Sequence, residues 1–133
     1  MKLVLGIGCD RNTPLSTIEN AIDKALASAA LTRDQIVQLA SIDKKQDEVA
    51  LLQLAELHAW PVAFYPAEQL AVVDVPSPSA VVMKYMGTPS VSEAAAILAA
   101  HTDMSDLLVE KYKYCGDEGK NATVSIVRMR ENT

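Results

Sequence analysis

The chain opens on Lys2-Leu3-Val4-Leu5-Gly6-Ile7-Gly8-Cys9, an apolar run with β-branched members and no polar alternation. A strand of this kind has no face left for water, so it belongs inside a sheet covered on both sides. Helices must supply that cover, which points to a layered α/β fold. Downstream, Ile18, Ala21, Ile22, Ala25, Leu26 and Ala29 recur at helical spacing. Thr13-Pro14 or Ser16 can start this helix, and Glu19 stands three residues after Ser16 as a capping-box partner. Residues 36–42 read as a second strand, and residues 43–47 as a charged loop. A second helix spans about 46–58, barred from continuing by Pro61.

Residues 62–65 read as a third strand and 66–70 as one helical turn. Pro76-Ser77-Pro78-Ser79 breaks the chain. Residues 79–86 then fit a short helix, although 80–83 fit a strand equally well. Gly87-Thr88-Pro89 ends that element, and Ser90 with Glu93 forms a second capping box for a third long helix. Residues 107–114 and 122–129 are strands around the turn-forming Cys115-Gly116-Asp117-Glu118-Gly119-Lys120-Asn121, a terminal hairpin. The expected architecture is a three-layer α/β/α fold with a mostly parallel sheet and a C-terminal antiparallel hairpin, built as one domain over residues 1–133.

Composition narrows the function. A net charge of −5 argues against a nucleic-acid partner, which calls for a basic face. The longest apolar helical run, residues 94–100, is far below the ~20 residues that span a bilayer. The opening run lacks a signal-peptide cleavage site. Cys9 and Cys115 have no framework spacing. A cytoplasmic, reduced protein is expected, away from membranes. The two cysteines and two histidines have no zinc spacing, so no metal and no cofactor are expected.

Ligands of open parallel sheets bind beyond the carboxyl ends of the strands. That rule selects the loop Gly8-Cys9-Asp10-Arg11-Asn12-Thr13 after the first strand, Asp43-Lys44-Lys45 after the second, and the helix start at Ser90. Gly6-Ile7-Gly8 begins like a dinucleotide fingerprint, but Arg11 stands where its third glycine would be. Glycines serving close packing explain the same residues. Cys9 is a candidate nucleophile or a small packing residue. Lys111 and Lys113 share one face of a strand. They suit carboxylates or phosphates, or they blunt an edge strand against aggregation. Asp43 and Glu48 are candidate acid–base groups, Glu48 also fitting a helix first turn.

Four segments together resemble the CobE and CbiG C-terminal domain family of cobalamin biosynthesis. They are residues 6–13; Leu39-Ala40-Ser41-Ile42-Asp43-Lys44-Lys45 with Glu48; Gly87-Thr88-Pro89-Ser90-Val91-Ser92-Glu93-Ala94-Ala95-Ala96; and the Lys111–Lys113 pair before a last strand, residues 122–128. Asp10 and Asn12 depart from the family pattern, which often has a basic residue and a glycine there. The resemblance covers essentially the whole chain and is closer to the stand-alone CobE form. It implies binding of a polycarboxylate corrin or precorrin intermediate of the aerobic pathway. Arg11, Lys44, Lys111 and Lys113 would hold the carboxylates, with the helix starts at Thr13 and Ser90, and Tyr112, Tyr114 or Tyr85 would offer the macrocycle apolar area. Two alternatives go with it. One is a hydrolase opening a precorrin lactone with release of acetaldehyde, with Asp43 or Glu48 activating water. The other is an interaction module for other cobalamin-pathway enzymes.

Overall fold

The apolar opening run becomes β1 (Lys2–Cys9), in which Leu3, Val4, Leu5 and Ile7 are fully covered. The computed structural model describes residues 1–76 and 78–130. After β1 come α1 (Leu15–Ser28), β2 (Ile36–Ile42), α2 (Val49–His58), β3 (Val62–Tyr65) and α3 (Ala67–Ala71). Then follow α4 (Ala80–Met86), α5 (Ser92–Ala100), β4 (Leu107–Cys115) and β5 (Asn121–Met129). Ser77, within the expected chain break, and the last residues, 131–133, lie outside the described residues.

The five strands form one sheet of order β3-β2-β1-β5-β4. β1 pairs in parallel with β2, and β2 with β3. β5 runs antiparallel to both β1 and β4. Four of the five strands therefore point one way, and β5 alone opposes them. The terminal hairpin is not merely an edge. Its second strand enters the sheet beside β1 and its first, β4, becomes the edge.

Alternation along β1 sorts the layers. Leu3, Leu5 and Ile7 meet Ile18, Ala21, Ile22 and Ala25 of α1 and Leu51 and Leu54 of α2. Val4 faces the other way, with Ala40 and Ile42, onto the alanines of α5 and Leu70 of α3. The sheet is thus covered on both faces, as an unalternating strand requires.

Two local expectations change. The Ser16–Glu19 capping box does not form; Pro14 is the N-cap and α1 has no side-chain cap. Glu19 instead lies 2.9 Å from both Arg33 Nη1 and His58 Nε2. Two side-chain partners half-shielded from water outcompete one exposed backbone N–H. A capping box does form between Thr32 and Gln35. In α5, the Ser90 hydroxyl accepts from the Ala94 N–H at 3.4 Å, while Glu93 turns to Lys111. The ambiguous residues 80–86 are helical, capped by Ser79 Oγ and ended by Gly87 at φ 76°.

Gly6 sets how closely α5 approaches. A Cβ there would stand 1.8 Å from the Ser92 carbonyl oxygen. Gly6→Ala must push α5 off the sheet, and overpacking of this kind costs roughly 1–3 kcal/mol or more. Urea unfolding should show that loss, with Gly8→Ala as the milder control, since its nearest neighbours lie at 3.9 Å.

Buried Asp106 ties the last turn before β4 to β5. It accepts from the Thr102 hydroxyl, from Arg128 Nη2 at 2.8 Å and from Arg130 Nε at 2.5 Å. Those bonds, the Thr102 hydroxyl foremost, hold its pKa below the ordinary carboxylate value. A depressed folded pKa gives stability that is present above the unfolded value and is lost as pH falls through the folded one. Acid unfolding of Asp106→Asn should therefore lose less stability than the parent over that acid range.

Candidate functional site

A cleft opens where the carboxyl ends of β1 and β2 meet the start of β5. Gly8, Cys9 and Ile42 form its floor, with Asn121 and Thr123 beside them. Ser90, Val91 and Ser92, leading into α5, make one wall, and Ser79, Val82 and Met86 around α4 make another. Lys45, Lys111 and Lys113 bring three cations from two distant segments. The enclosed space is about 180 Å³. That is smaller than the ~300–1,000 Å³ of a pocket that swallows a drug-sized ligand, so the cleft can grip only part of a large one.

The lysines point here because β4 is irregular. Its register against β5 shifts between Leu107 and Val109 and again between Val109 and Tyr112. An extra residue in a strand exchanges the faces beyond it. Val109, Tyr112 and Tyr114 consequently all pack on the α1 side. Lys111 and Lys113 are left on the α5 side. Lys111 Nζ lies 3.2 Å from Glu93 Oε1, and Glu93 is fully buried. The expectation that Tyr112 and Tyr114 offer ligand contact is thus overturned. Tyr85 sits on α4, 69% exposed, and does not line the cleft.

Lys44 and Lys45 part company for a geometric reason. They lie in a 3-10 turn, Asp43–Lys45. Such a turn has about three residues per revolution, so neighbours point about 120° apart. Lys44 is exposed and donates to the Met86 carbonyl at 3.3 Å, tethering the end of α4. Lys45 is 5% exposed and lines the cleft. Among the described residues no carboxylate forms an ion pair with it.

The loop after β1 is built by its own ion pairs. Arg11 Nη1 lies 2.9 Å from both Asp47 and Glu48. Glu48, 2% exposed, also accepts the Asn12 N–H at 2.7 Å. Asn12 there adopts φ 62°, the left-handed conformation it tolerates better than most residues. Thr13 is buried and donates to the Asp10 carbonyl at 2.6 Å. Asp10 holds Asn121 through its N–H at 2.7 Å and its side-chain amide at 3.0 Å. At the first turn of α1, Thr17 donates to Glu118 at 2.8 Å, so a carboxylate of the chain itself already sits there.

Of the expected site residues, the cleft gathers Gly8, Cys9, Ser90, Lys111 and Lys113. Arg11, Thr13, Asp43 and Lys44 do not line it, and neither does Glu48. Both expected acid–base groups thus fall outside, and Glu48 is held by Arg11 and the Asn12 N–H. Burial raises the Cys9 thiol pKa, partly offset by Lys45. A protonated thiol fits a packing role better than a nucleophile. Burial also raises the Glu93 pKa, against the opposing pull of Lys111.

The profile of the family described as Cobalamin synthesis G C-terminus matches residues 3–127. The chain belongs to that family of cobalamin biosynthesis proteins. It is 33% identical over 124 residues to a cobalt-precorrin-5A hydrolase of Priestia megaterium, covering 93% of this chain. It spans only 31% of that hydrolase. It is 36% identical over 111 residues to Protein CobE of a Sinorhizobium species, 82% of this chain and 71% of the relative. The crystal structure of CobE, a protein from the cobalamin biosynthetic pathway, superposes with a TM-score of 0.78 at 30% identity. That match covers 98% of this chain and 93% of CobE. The cobalamin biosynthesis protein chiG of Agrobacterium tumefaciens superposes at 0.65 and 25% identity, over 97% and 99%.

Sequence reasoning missed Asn121 and Thr123 as cleft residues, and put Lys44 where Lys45 belongs. The signal for Thr123 is its register opposite Gly8, and for Asn121 its place beside Asp10, legible only once β5 is known to pair with β1. If Glu48 serves the loop and not chemistry, Glu48→Gln should lower stability by about 1–3 kcal/mol, the usual cost of disturbing a buried hydrogen-bonding group. Urea unfolding measures it, and ligand affinity of the folded fraction should stay within a few-fold.

Proposed function

We propose that this protein binds a polycarboxylate corrin or precorrin intermediate of cobalamin biosynthesis and holds or passes it on. The observation that carries the reading is the convergence of Lys45, Lys111 and Lys113 on one cleft in a chain of net charge −5. A focused cationic site on an acidic surface selects anionic ligands and draws them in. The N-terminal turn of α5 borders the same cleft at Val91 and Ser92 and adds partial positive charge. Ile42, Val82 and Met86 supply apolar contact beside those charges. The cleft then grips one carboxylate-bearing edge of the macrocycle, and the rest of the ring lies over the rim near α4. No residue of α4 is buried, which leaves its apolar side chains available for contact.

The named relatives support this reading from outside the cleft: one is a cobalt-precorrin-5A hydrolase and another a protein of the cobalamin pathway. Lactone hydrolysis by this chain alone is the weaker alternative. Asp43 and Glu48, the groups expected to activate water, do not line the cleft, and Asp10, which does, is engaged with Asn121. Passing a ligand on implies contact with other pathway enzymes. A cytoplasmic location fits this role, and among the described residues no helix is long and apolar enough to cross a membrane.

Absorbance titration with a carboxylate-bearing corrinoid such as hydrogenobyrinic acid tests the proposal. Saturable binding that weakens with salt is expected. The double variant Lys111→Met, Lys113→Met should weaken it at least about tenfold, since a hydrogen bond to a charged group is worth roughly 1.5–3 kcal/mol. Unchanged affinity in that variant would sink the cationic-cleft reading.

A further inference from the structure

We propose that binding an anion in the cleft is coupled to uptake of one proton by Glu93, beneath Lys111. The inference rests on the binding reading above and adds a regulation of the same site. Glu93 is fully buried at the start of α5. Its Oε1 faces the Lys111 ammonium at 3.2 Å and receives the Ser90 hydroxyl at 3.5 Å. Its Oε2 is buried and, among the described residues, has no hydrogen-bond partner. Lys111 lines the cleft, so it has the buried carboxylate on one side and the ligand on the other.

Charge arithmetic then decides the outcome. An anion arriving at Lys111 places two negative groups around one ammonium. The carboxylate that cannot reach water is the one that neutralises, because burying an uncompensated charge costs more than protonating it. Oε2 has room in the bonding scheme for that proton. A new O–H bond at Oε2, its proton taken from the buffer, breaks neither contact made by Oε1. Burial already favours the neutral acid.

The surroundings offer few competitors for the proton. From β4, Lys111 opposes protonation and Glu110 favours it. Ser90 contributes a hydroxyl from the loop before α5. Across from α5, β1 brings Gly6 and β5 brings Ser125, whose hydroxyl meets that of Ser92 at 2.9 Å. None of these three titrates. The remaining ionisable groups of the cleft are Cys9, Asp10, Lys45 and Lys113. Glu93 touches no ligand in this scheme; it is a positioning residue that acts through Lys111.

The test uses a metallated tetrasulfonated porphyrin, whose acid groups stay ionised from mildly acid to mildly alkaline pH. Calorimetric titration of the parent protein in two buffers of different ionisation enthalpy reads the protons taken up. Uptake of up to one proton per ligand is expected, greatest in the pH range where Glu93 is ionised in the free protein and protonated in the complex. Affinity should also fall as pH rises. Glu93→Gln should abolish the uptake and flatten the pH profile. It should also tighten binding by about tenfold at the alkaline end of that range, the change that one pKa unit of linkage corresponds to. A purely structural role would instead weaken binding and leave the pH profile as it was. Binding without proton uptake in the parent overturns this inference and leaves the binding reading standing. Absence of binding by both the porphyrin and hydrogenobyrinic acid overturns both.

Discussion

The missing side chain of Gly6 lets the α5 N-terminus lie against β1 more closely than any Cβ there would permit. With any Cβ at that position, the Ser92 carbonyl would have to move. The alanines of α5 continue the same economy of size, so the helix lies low on the sheet with almost all of its residues buried. That contact carries Ser90, Ser92 and Glu93 to the end of β1. It thereby sets one wall of the cleft and the carboxylate beneath Lys111. Were α5 a little higher, the Glu93–Lys111 pair would open and Lys111 would lose its orientation.

Electrostatics divide the loop residues into two groups with different work. Arg11, Asp47, Glu48 and Asn12 form a closed set around the loop after β1. Their charges are spent on one another, which explains why the most suggestive cation of the opening motif takes no part in the cleft. Asp10 is likewise committed to Asn121, so it adds little free negative charge to the cleft. Lys45, Lys111 and Lys113 are the lysines that line the cleft. Lys111 is moderated by Glu93, and Lys45 is sheltered from water.

Much of this was legible in the residues. The unalternating run at 2–9, the helical spacing of Ile18 to Leu26 and the turn chemistry at 115–121 each led to an element with nearly the expected bounds. Such features depend on neighbours in sequence, where periodicity and turn propensity operate. Glu19 and Glu93 were misread as capping partners because local spacing cannot show Arg33, His58 or Lys111 waiting nearby in space. Lys111 and Lys113 stand on an edge strand and also line the cleft. A lysine that protects an edge and one that binds a ligand look alike in sequence.

By itself the sequence determined the layered α/β class, the family, and a set of basic residues beyond the strand ends. Hydrophobic periodicity and local backbone chemistry suffice for the first, and four ordered motifs for the second. Tertiary structure alone decided which cations converge. The irregular register of β4 turned Lys111 and Lys113 toward α5, the 3-10 turn chose Lys45 over Lys44, and insertion of β5 beside β1 brought Asn121 and Thr123 to the cleft. Each of these depends on a strand pairing or a turn angle. Residue type does not encode such choices, because one residue of slip exchanges the two faces of a strand.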